Sequence, residues 1–201
     1  MTSVERISCL YDCLEQVRIN NIPGDYVECG VWKAGNILGI ARYLEYYNQL
    51  NSQLWLYDTF EGMTAPEEID VTYDGESAMD TYKQESINCH SPIEETQYTL
   101  SHTNYPVDKF RFVIGDICQT LLVSENIPDS ISILRLDTDW YASTKIELEV
   151  LWDKVMPGGF MIIDDYGHWQ GCRKAVDEFF PDQTVLKYID HTCRLIKKTL
   201  Y

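Results

Sequence analysis

The chain has 201 residues, 45% of them hydrophobic, with 16 basic against 32 acidic side chains for a net charge of −16. That length fits one domain with a real core, the hydrophobic content excludes a disordered tail, and the acidic balance excludes a nucleic-acid partner, because such a surface repels phosphate. No run approaches about 18 apolar residues, which excludes a membrane span, and the N-terminus MTSVERISCLYDCLEQV has no basic region ahead of an apolar block, which argues against a signal peptide and for a cytoplasmic protein.

In chain order, Val4, Ile7, Leu10, Tyr11, Leu14 and Val17 recur at spacings of three and four and predict an amphipathic helix within an N-terminal arm over 1–24. Asn20, Asn21, Pro23 and Gly24 end it. DYVECG predicts a first strand ending at Glu28, with Gly30 and Gly35 in the turn behind it. Asn36 is placed to cap a helix carrying Ile37, Leu38, Ile40, Ala41 and Leu44. QLWLYD predicts a second strand ending at Asp58. Residues 61–108 are polar and weakly patterned, with one short helix expected around Glu94–Leu100; an insertion of this size inside a compact domain reads as a lid or substrate-binding loop. FRFVIGD (110–116) and ISILRLD (131–137) predict the third and fourth strands, STKIELEVLWDKV (143–155) a helix, and FMIIDD (160–165) the fifth strand after PGG. A helix over Cys172–Phe180 and a hairpin from TVLKYI (184–189) and CRLIKK (193–198) close the chain. The seven cysteines are odd in number and irregular in spacing, which fits thiols in a reducing compartment. Cys9 and Cys13 share a helix face and would be half of a metal site only if partner ligands joined them.

This order predicts an α/β fold over 1–201, a doubly wound, mainly parallel sheet with a C-terminal antiparallel hairpin. In such sheets ligands bind beyond the carboxyl ends of the strands. Glu28, Asp58, Asp116, Asp137 and Asp164 all fall at or just past those ends. ECGVWKAGN matches neither the dinucleotide fingerprint nor a phosphate loop. A glycine turn at Gly30 and Gly35 with Asp58 about twenty residues on, placed for ribose hydroxyls, suits a nucleoside without a phosphate cradle; S-adenosylmethionine fits that description. With the fourth and fifth strands adjacent, ~4.8 Å apart, Asp137 meets Asp164 and Asp165 across one gap. Acids that close repel unless a cation or protons intervene, and an all-oxygen donor set suits Mg²⁺ first, with Ca²⁺ or Mn²⁺ as alternatives. Asp139 either points into the same site or caps the helix near Ser143, and His168, three residues past Asp165, is either structural or a general base.

The segments VECGVWKAGN, YDTFEGM, LRLDTDWYASTKIELEVLW and PGGFMIIDDYGHWQGCRKAVDEFF together resemble the macrocin O-methyltransferase family, bacterial sugar methyltransferases that use S-adenosylmethionine and magnesium. The resemblance implies a class I methyltransferase (Rossmann-like) fold with a seven-stranded sheet. It implies that Glu28, Gly30, Gly35 and Asp58 line the cofactor site with Asn36, Thr59 and Phe60 in the matching segments, that Asp116 lies near the adenine, and that Asp137, Asp164 and Asp165 hold the metal. The expected reaction is methyl transfer to one hydroxyl of a vicinal diol on a sugar of a secondary metabolite, with Asp137 first, or else His168, taking the proton and Asp139 as a further candidate catalytic residue. A homo-oligomer, a dimer first, is the expected assembly. Two rivals stand beside this reading: a nicotinamide-dependent oxidoreductase on a similar sheet, and a sugar- or nucleoside-binding module without turnover.

Overall fold

The computed structural model describes residues 2–84 and 89–199. Seven strands form one sheet in the order β3-β2-β1-β4-β5-β7-β6: β1 Asp25–Cys29, β2 Leu54–Asp58, β3 Phe110–Ile114, β4 Ile131–Leu136, β5 Val155–Ile163, β6 Lys187–Tyr188 and β7 Arg194–Lys197. The first five pair in parallel and β7 runs antiparallel to both β5 and β6, which is the expected arrangement. The helices are α1 Val4–Ile19, α2 Gly35–Tyr46, α3 Ala78–Lys83, α4 Ile93–Leu100, α5 Ile117–Thr120, α6 Tyr141–Leu151 and α7 Gln170–Phe179. Among the described residues no helix is long and apolar enough to cross a membrane.

Every residue of β4 is buried, as a central parallel strand covered on both faces requires. Alternate residues supply two separate cores. Val27, Leu134, Leu136, Met161 and Ile163 pack with Leu148, Cys172 and Val176 of α6 and α7. Tyr26, Ile133, Phe160 and Ile162 pack with Leu10, Leu14, Ile37 and Leu44 of α1 and α2. Because side chains alternate along a strand, Glu28 and Arg135, paired in register across β1 and β4, project toward the α1–α2 layer.

Several element boundaries differ from the sequence reading, each for a local reason. On α1 the buried stripe is Cys9, Leu10, Cys13, Leu14 and Val17, while Val4, Ile7 and Tyr11 are exposed. Cys9 and Cys13 are therefore packing residues beside Leu10, Leu14 and Val17 of the predicted stripe, which ran too wide at Val4, Ile7 and Tyr11. β1 runs one residue past Glu28. Asn36 does not cap α2. The cap is Ala34, left-handed at φ 57°, and Asn36 Nδ2 instead donates to Glu28 Oε1 at 2.8 Å. β5 starts at Val155, so PGG lies within it, and Gly159 is needed there because a Cβ would sit 2.8 Å from Ser132 O on β4. Gln183–Val185 forms a 3₁₀ turn, shortening the first arm of the final hairpin.

The 61–108 insertion has more structure than its pattern suggested. It holds α3 as well as α4, and it bridges to the body at Thr72 and Trp169; residues 85–88 lie outside the described part. Its anchor is Asp70, 1% exposed. Asp70 Oδ1 accepts from Tyr141 N, and Oδ2 from Glu67 N, each at 2.8 Å. Tyr141 opens α6, whose own N-cap residue Trp140 offers no side-chain acceptor, so the insertion supplies the cap. A Cβ on Gly171 of α7 would come within 1.9 Å of the same Asp70 oxygen. Asp70→Ala is expected to cost about 1–3 kcal/mol of stability, with Asp70→Asn costing less because one acceptor survives; denaturant unfolding measures both.

Candidate active site

The ladder of the sheet continues one residue beyond its strands. Asp137 N donates to Cys29 O and Asp164 N to Leu136 O, each at 2.9 Å. This sets Gly30, Asp137 and Asp164 side by side at the carboxyl edge of β1, β4 and β5, where they line one cavity of about 570 Å³. The same cavity is lined by Asp58, Thr59, Asp116, Asp139, Asp165 and His168. Nine of the predicted site residues are thus brought together. Glu28, Gly35, Asn36 and Phe60 are not on its wall.

At one end lies the turn after β1. Gly30 has φ +81°, and a Cβ there would meet Asp137 O at 2.0 Å, so only glycine fits between the first and fourth strand ends. Gly35 carries no such demand: a Cβ there would meet nothing within 4 Å. The left-handed positions of this turn are Trp32 and Ala34. Asp58 shapes it from below, with Oδ2 accepting from Val31 N at 2.7 Å and Trp32 N at 2.9 Å and Oδ1 from Phe60 N at 2.8 Å. A carboxylate accepts about four hydrogen bonds, which leaves Asp58 room for a ligand hydroxyl. Phe60, left-handed at φ 57°, turns away to pack on Phe112, ring centroids 6.0 Å apart. Asp116 caps α5 through Cys118 N at 2.9 Å while facing the cavity. A backbone that excludes a Cβ and a turn-bracing acid with spare acceptor capacity fit the nucleoside part of S-adenosylmethionine.

At the other end one oxygen from each of Asp137, Asp164 and Asp165 lies within 4.8 Å of the others. Consecutive aspartates at a strand end point to opposite layers, so Asp164 faces α1 and Asp165 faces the α6–α7 side. Asp139 stands there too, left-handed at φ 69°, its Oδ1 accepting from Trp169 Nε1 at 2.7 Å. Of the two roles open to Asp139, the cap is taken by Asp70. Burial, then repulsion from Asp137, pushes the Asp139 carboxyl up to about 7. Burial followed by the neighbouring acids likewise raises Asp165 well above the carboxylate range, and burial ahead of Asp137 takes Asp164 to about 6.

Two arginines already share this negative charge, alongside the bound ion or protons that the sequence reading expected. Arg135 Nη1 donates to Glu28 Oε1 at 2.8 Å and Asp137 Oδ2 at 2.6 Å, and Nη2 to Asp164 Oδ1 at 2.7 Å. Arg6 of α1 pairs with Asp164 Oδ2 and Asp190. Glu28 is therefore a strut for Arg135 beneath the site, pushed up to about 7 by burial against the pull of that arginine. Five acids (Glu28, Asp137, Asp139, Asp164, Asp165) outnumber the two arginines, burial and mutual repulsion favour protons on the excess carboxyls, and the all-carboxylate donor set fits a hard divalent cation that would take the place of those protons. His168 packs between Tyr73 and Trp169, ring centroids 6.2 and 4.7 Å away, and burial, then His191, lowers its pKa.

Comparison with known proteins gives the family and the fold. A family model described as macrocin-O-methyltransferase (TylF) matches residues 1–198. Demethyldecarbamoylnovobiocin O-methyltransferase of Streptomyces niveus is 32% identical over 181 residues, 89% of this chain and 66% of that protein. Mycinamicin III 3''-O-methyltransferase of Micromonospora griseorubida is 29% identical, across 89% of this chain and 69% of its own. The chain thus spans about two thirds of the length of these curated relatives. The solved O-methyltransferase NovP superposes with a TM-score of 0.84 at 29% identity, covering 98% of this chain and 81% of its own. Calicheamicin methyltransferase CalS11, at 17% identity and a TM-score of 0.73, shares the fold over 97% of this chain and 80% of its own. The fold is that of class I methyltransferases.

Proposed function

This chain belongs to the macrocin O-methyltransferase family, and from that premise we propose that it transfers a methyl group from S-adenosylmethionine to one hydroxyl of a vicinal diol on a sugar, with a divalent cation as helper. The observation that carries this is the meeting, in one cavity, of the Gly30 turn with the acids Asp137, Asp164 and Asp165. Relatives named for methylation of a mycinamicin and of a rhamnosyl tetracenomycin support the acceptor class.

When bound, S-adenosylmethionine would supply the electrophilic methyl, and a divalent cation, which Asp137, Asp164 and Asp165 would hold, would supply positive charge that favours loss of a proton from the acceptor. The remaining work falls to the chain. Gly30 and Asp58 hold the nucleoside at the β1 and β2 ends. Asp139 takes the proton from the attacking hydroxyl, since a carboxyl poised near neutrality suits a general base and Asp137 is engaged by Arg135. Trp169 fixes the Asp139 carboxylate through its indole N–H, and Trp140, packed on Trp169 at 5.0 Å between centroids, helps exclude water from that side. Residues 61–108 contribute Gly62, Met63, Thr64 and Cys89 to the cavity wall, and we assign them to covering the acceptor.

The test is transfer of a labelled methyl group to a panel of glycosylated acceptors, with EDTA and after Mg²⁺ is restored. Transfer is expected to fall at least about 100-fold in EDTA and to return with Mg²⁺; transfer that survives chelation removes the cation from the mechanism. A thermal shift with S-adenosylhomocysteine but not with NAD separates this reading from an oxidoreductase.

A further inference from the structure

α1 sends one side chain into the cavity, Arg6. Its Nε donates to Asp190 Oδ2 at 2.7 Å, its Nη2 to Thr192 Oγ1 and its Nη1 to Asp164 Oδ2. The other oxygen of Asp164 is held by Arg135 at 2.7 Å. Both oxygens of this one aspartate therefore carry a guanidinium N–H, on the residue that also belongs to the acidic trio.

The two arginines differ in how they are held. Arg135 is 5% exposed inside the sheet, and all its acidic partners are themselves part of the strand-end cluster. It has nowhere else to go. Arg6 comes from a separate helix, and its remaining partners, Asp190 and Thr192, sit together on the turn between β6 and β7. That turn is a firm anchor: Asp190 Oδ1 accepts from Thr192 N at 3.0 Å and Cys193 N at 2.8 Å, and Ser3 Oγ donates to Oδ2 at 2.9 Å. Arg6 can release Asp164 and keep the rest of its hydrogen bonds.

We propose that Arg6 is the chain's own stand-in cation for Asp164, anchored by Asp190 and yielding that carboxylate when a divalent ion arrives, so that cation binding and the Arg6–Asp164 ion pair oppose each other. The inference rests on the reading that Asp137, Asp164 and Asp165 hold such an ion. Two like charges on one carboxylate repel, and by linkage whatever the cation does to Arg6, Arg6 does to the cation.

The experiment measures Mn²⁺ affinity by electron paramagnetic resonance, without methyl donor or acceptor, on the unaltered chain and on Arg6→Gln, Arg6→Lys and Asp164→Asn. Arg6→Gln is expected to bind Mn²⁺ about tenfold more tightly, Arg6→Lys to stay near the unaltered chain because it keeps the charge, and Asp164→Asn to bind poorly. If Arg6→Gln binds no more tightly while Asp164→Asn still loses binding, Arg6 is no stand-in and the cation reading stands. If Asp164→Asn binds as well as the unaltered chain, the trio is not the cation seat and both fall. Should Arg6→Gln not fold, side-chain NMR on the unaltered chain decides: saturating Mg²⁺ is expected to shift the Arg6 guanidinium N–H resonances as the Asp164 contact is lost, and unshifted resonances overturn the proposal.

Discussion

Asp139→Asn is expected to lower the turnover of methyl transfer by about 10²–10⁴-fold, the range in which a positioned general base contributes. The substitution keeps size and the hydrogen bond from Trp169 Nε1, so affinity for S-adenosylhomocysteine, measured by calorimetry, should stay within a few-fold of the unaltered protein. What is lost is the proton acceptor. Burial and Asp137 hold this carboxyl near 7, so its basic form grows as pH rises, and the rate should climb with pH on its acid limb. A cation on the neighbouring aspartates favours the charged form and moves that limb below 7. His168 supplies the control. It packs on Tyr73 and Trp169, and His168→Asn should leave turnover within about tenfold. A large loss in His168→Asn with little in Asp139→Asn reverses the assignment.

Arg135→Met is expected to be the most destabilising single change in the site, costing about 3–5 kcal/mol because it strands buried charge. For a chain of this length that is a fall of roughly 10 °C in Tm. Three acids, Glu28, Asp137 and Asp164, lose their shared partner, and the Glu28 carboxyl has no other charged group to turn to among its hydrogen bonds, only Asn36. The sign of the pH dependence follows from the carboxyls. In the folded state Glu28 and Asp164 already titrate high, at about 7 and 6, above their unfolded values. Removing the arginine raises them further. Groups that hold protons more tightly when folded stabilise at low pH and lose that contribution as pH rises. The deficit of Arg135→Met should therefore be largest near pH 8 and shrink as pH falls through about 6, which thermal melts at several pH values will show. A deficit that is flat with pH would mean that lost packing, not stranded charge, is the cause.

Most of this architecture could be read from the residues. The parallel strands announce themselves as short apolar runs, and four of the five stop at or just before an acid on the cavity wall, Asp58, Asp116, Asp137 or Asp164, so the fold and the carboxylate trio follow from one pattern. Gly30 was legible for the same reason, since a turn behind a strand needs such a residue. What could not be read was long-range or two-faced. Arg6 lies 158 residues from Asp164, and nothing near it in the chain marks it. Asp70 sits in a polar stretch where every acid looks alike, and only the docking of α6 singles it out. Arg135 did leave a trace: an arginine inside the apolar run ISILRL must find acids if it is buried. Glu28 looked like a ligand contact because it precedes the strand end, yet register sends it sideways to Arg135. Cys9 and Cys13, four residues apart and so on one helix face, are buried thiols on the inner side of α1, as their spacing and residue type suggest.

The Arg6 contacts also bear on when the protein becomes competent. One end of the network is Arg6 and the other Asp190 and Thr192, 184 and 186 residues further along the chain. Contacts of such high sequence separation form late, after the loop entropy between them has been overcome. A nascent chain still on the ribosome can build β1 to β4 yet lacks the hairpin turn that receives Arg6. The acidic cluster is thus finished only after the turn between β6 and β7 has been made.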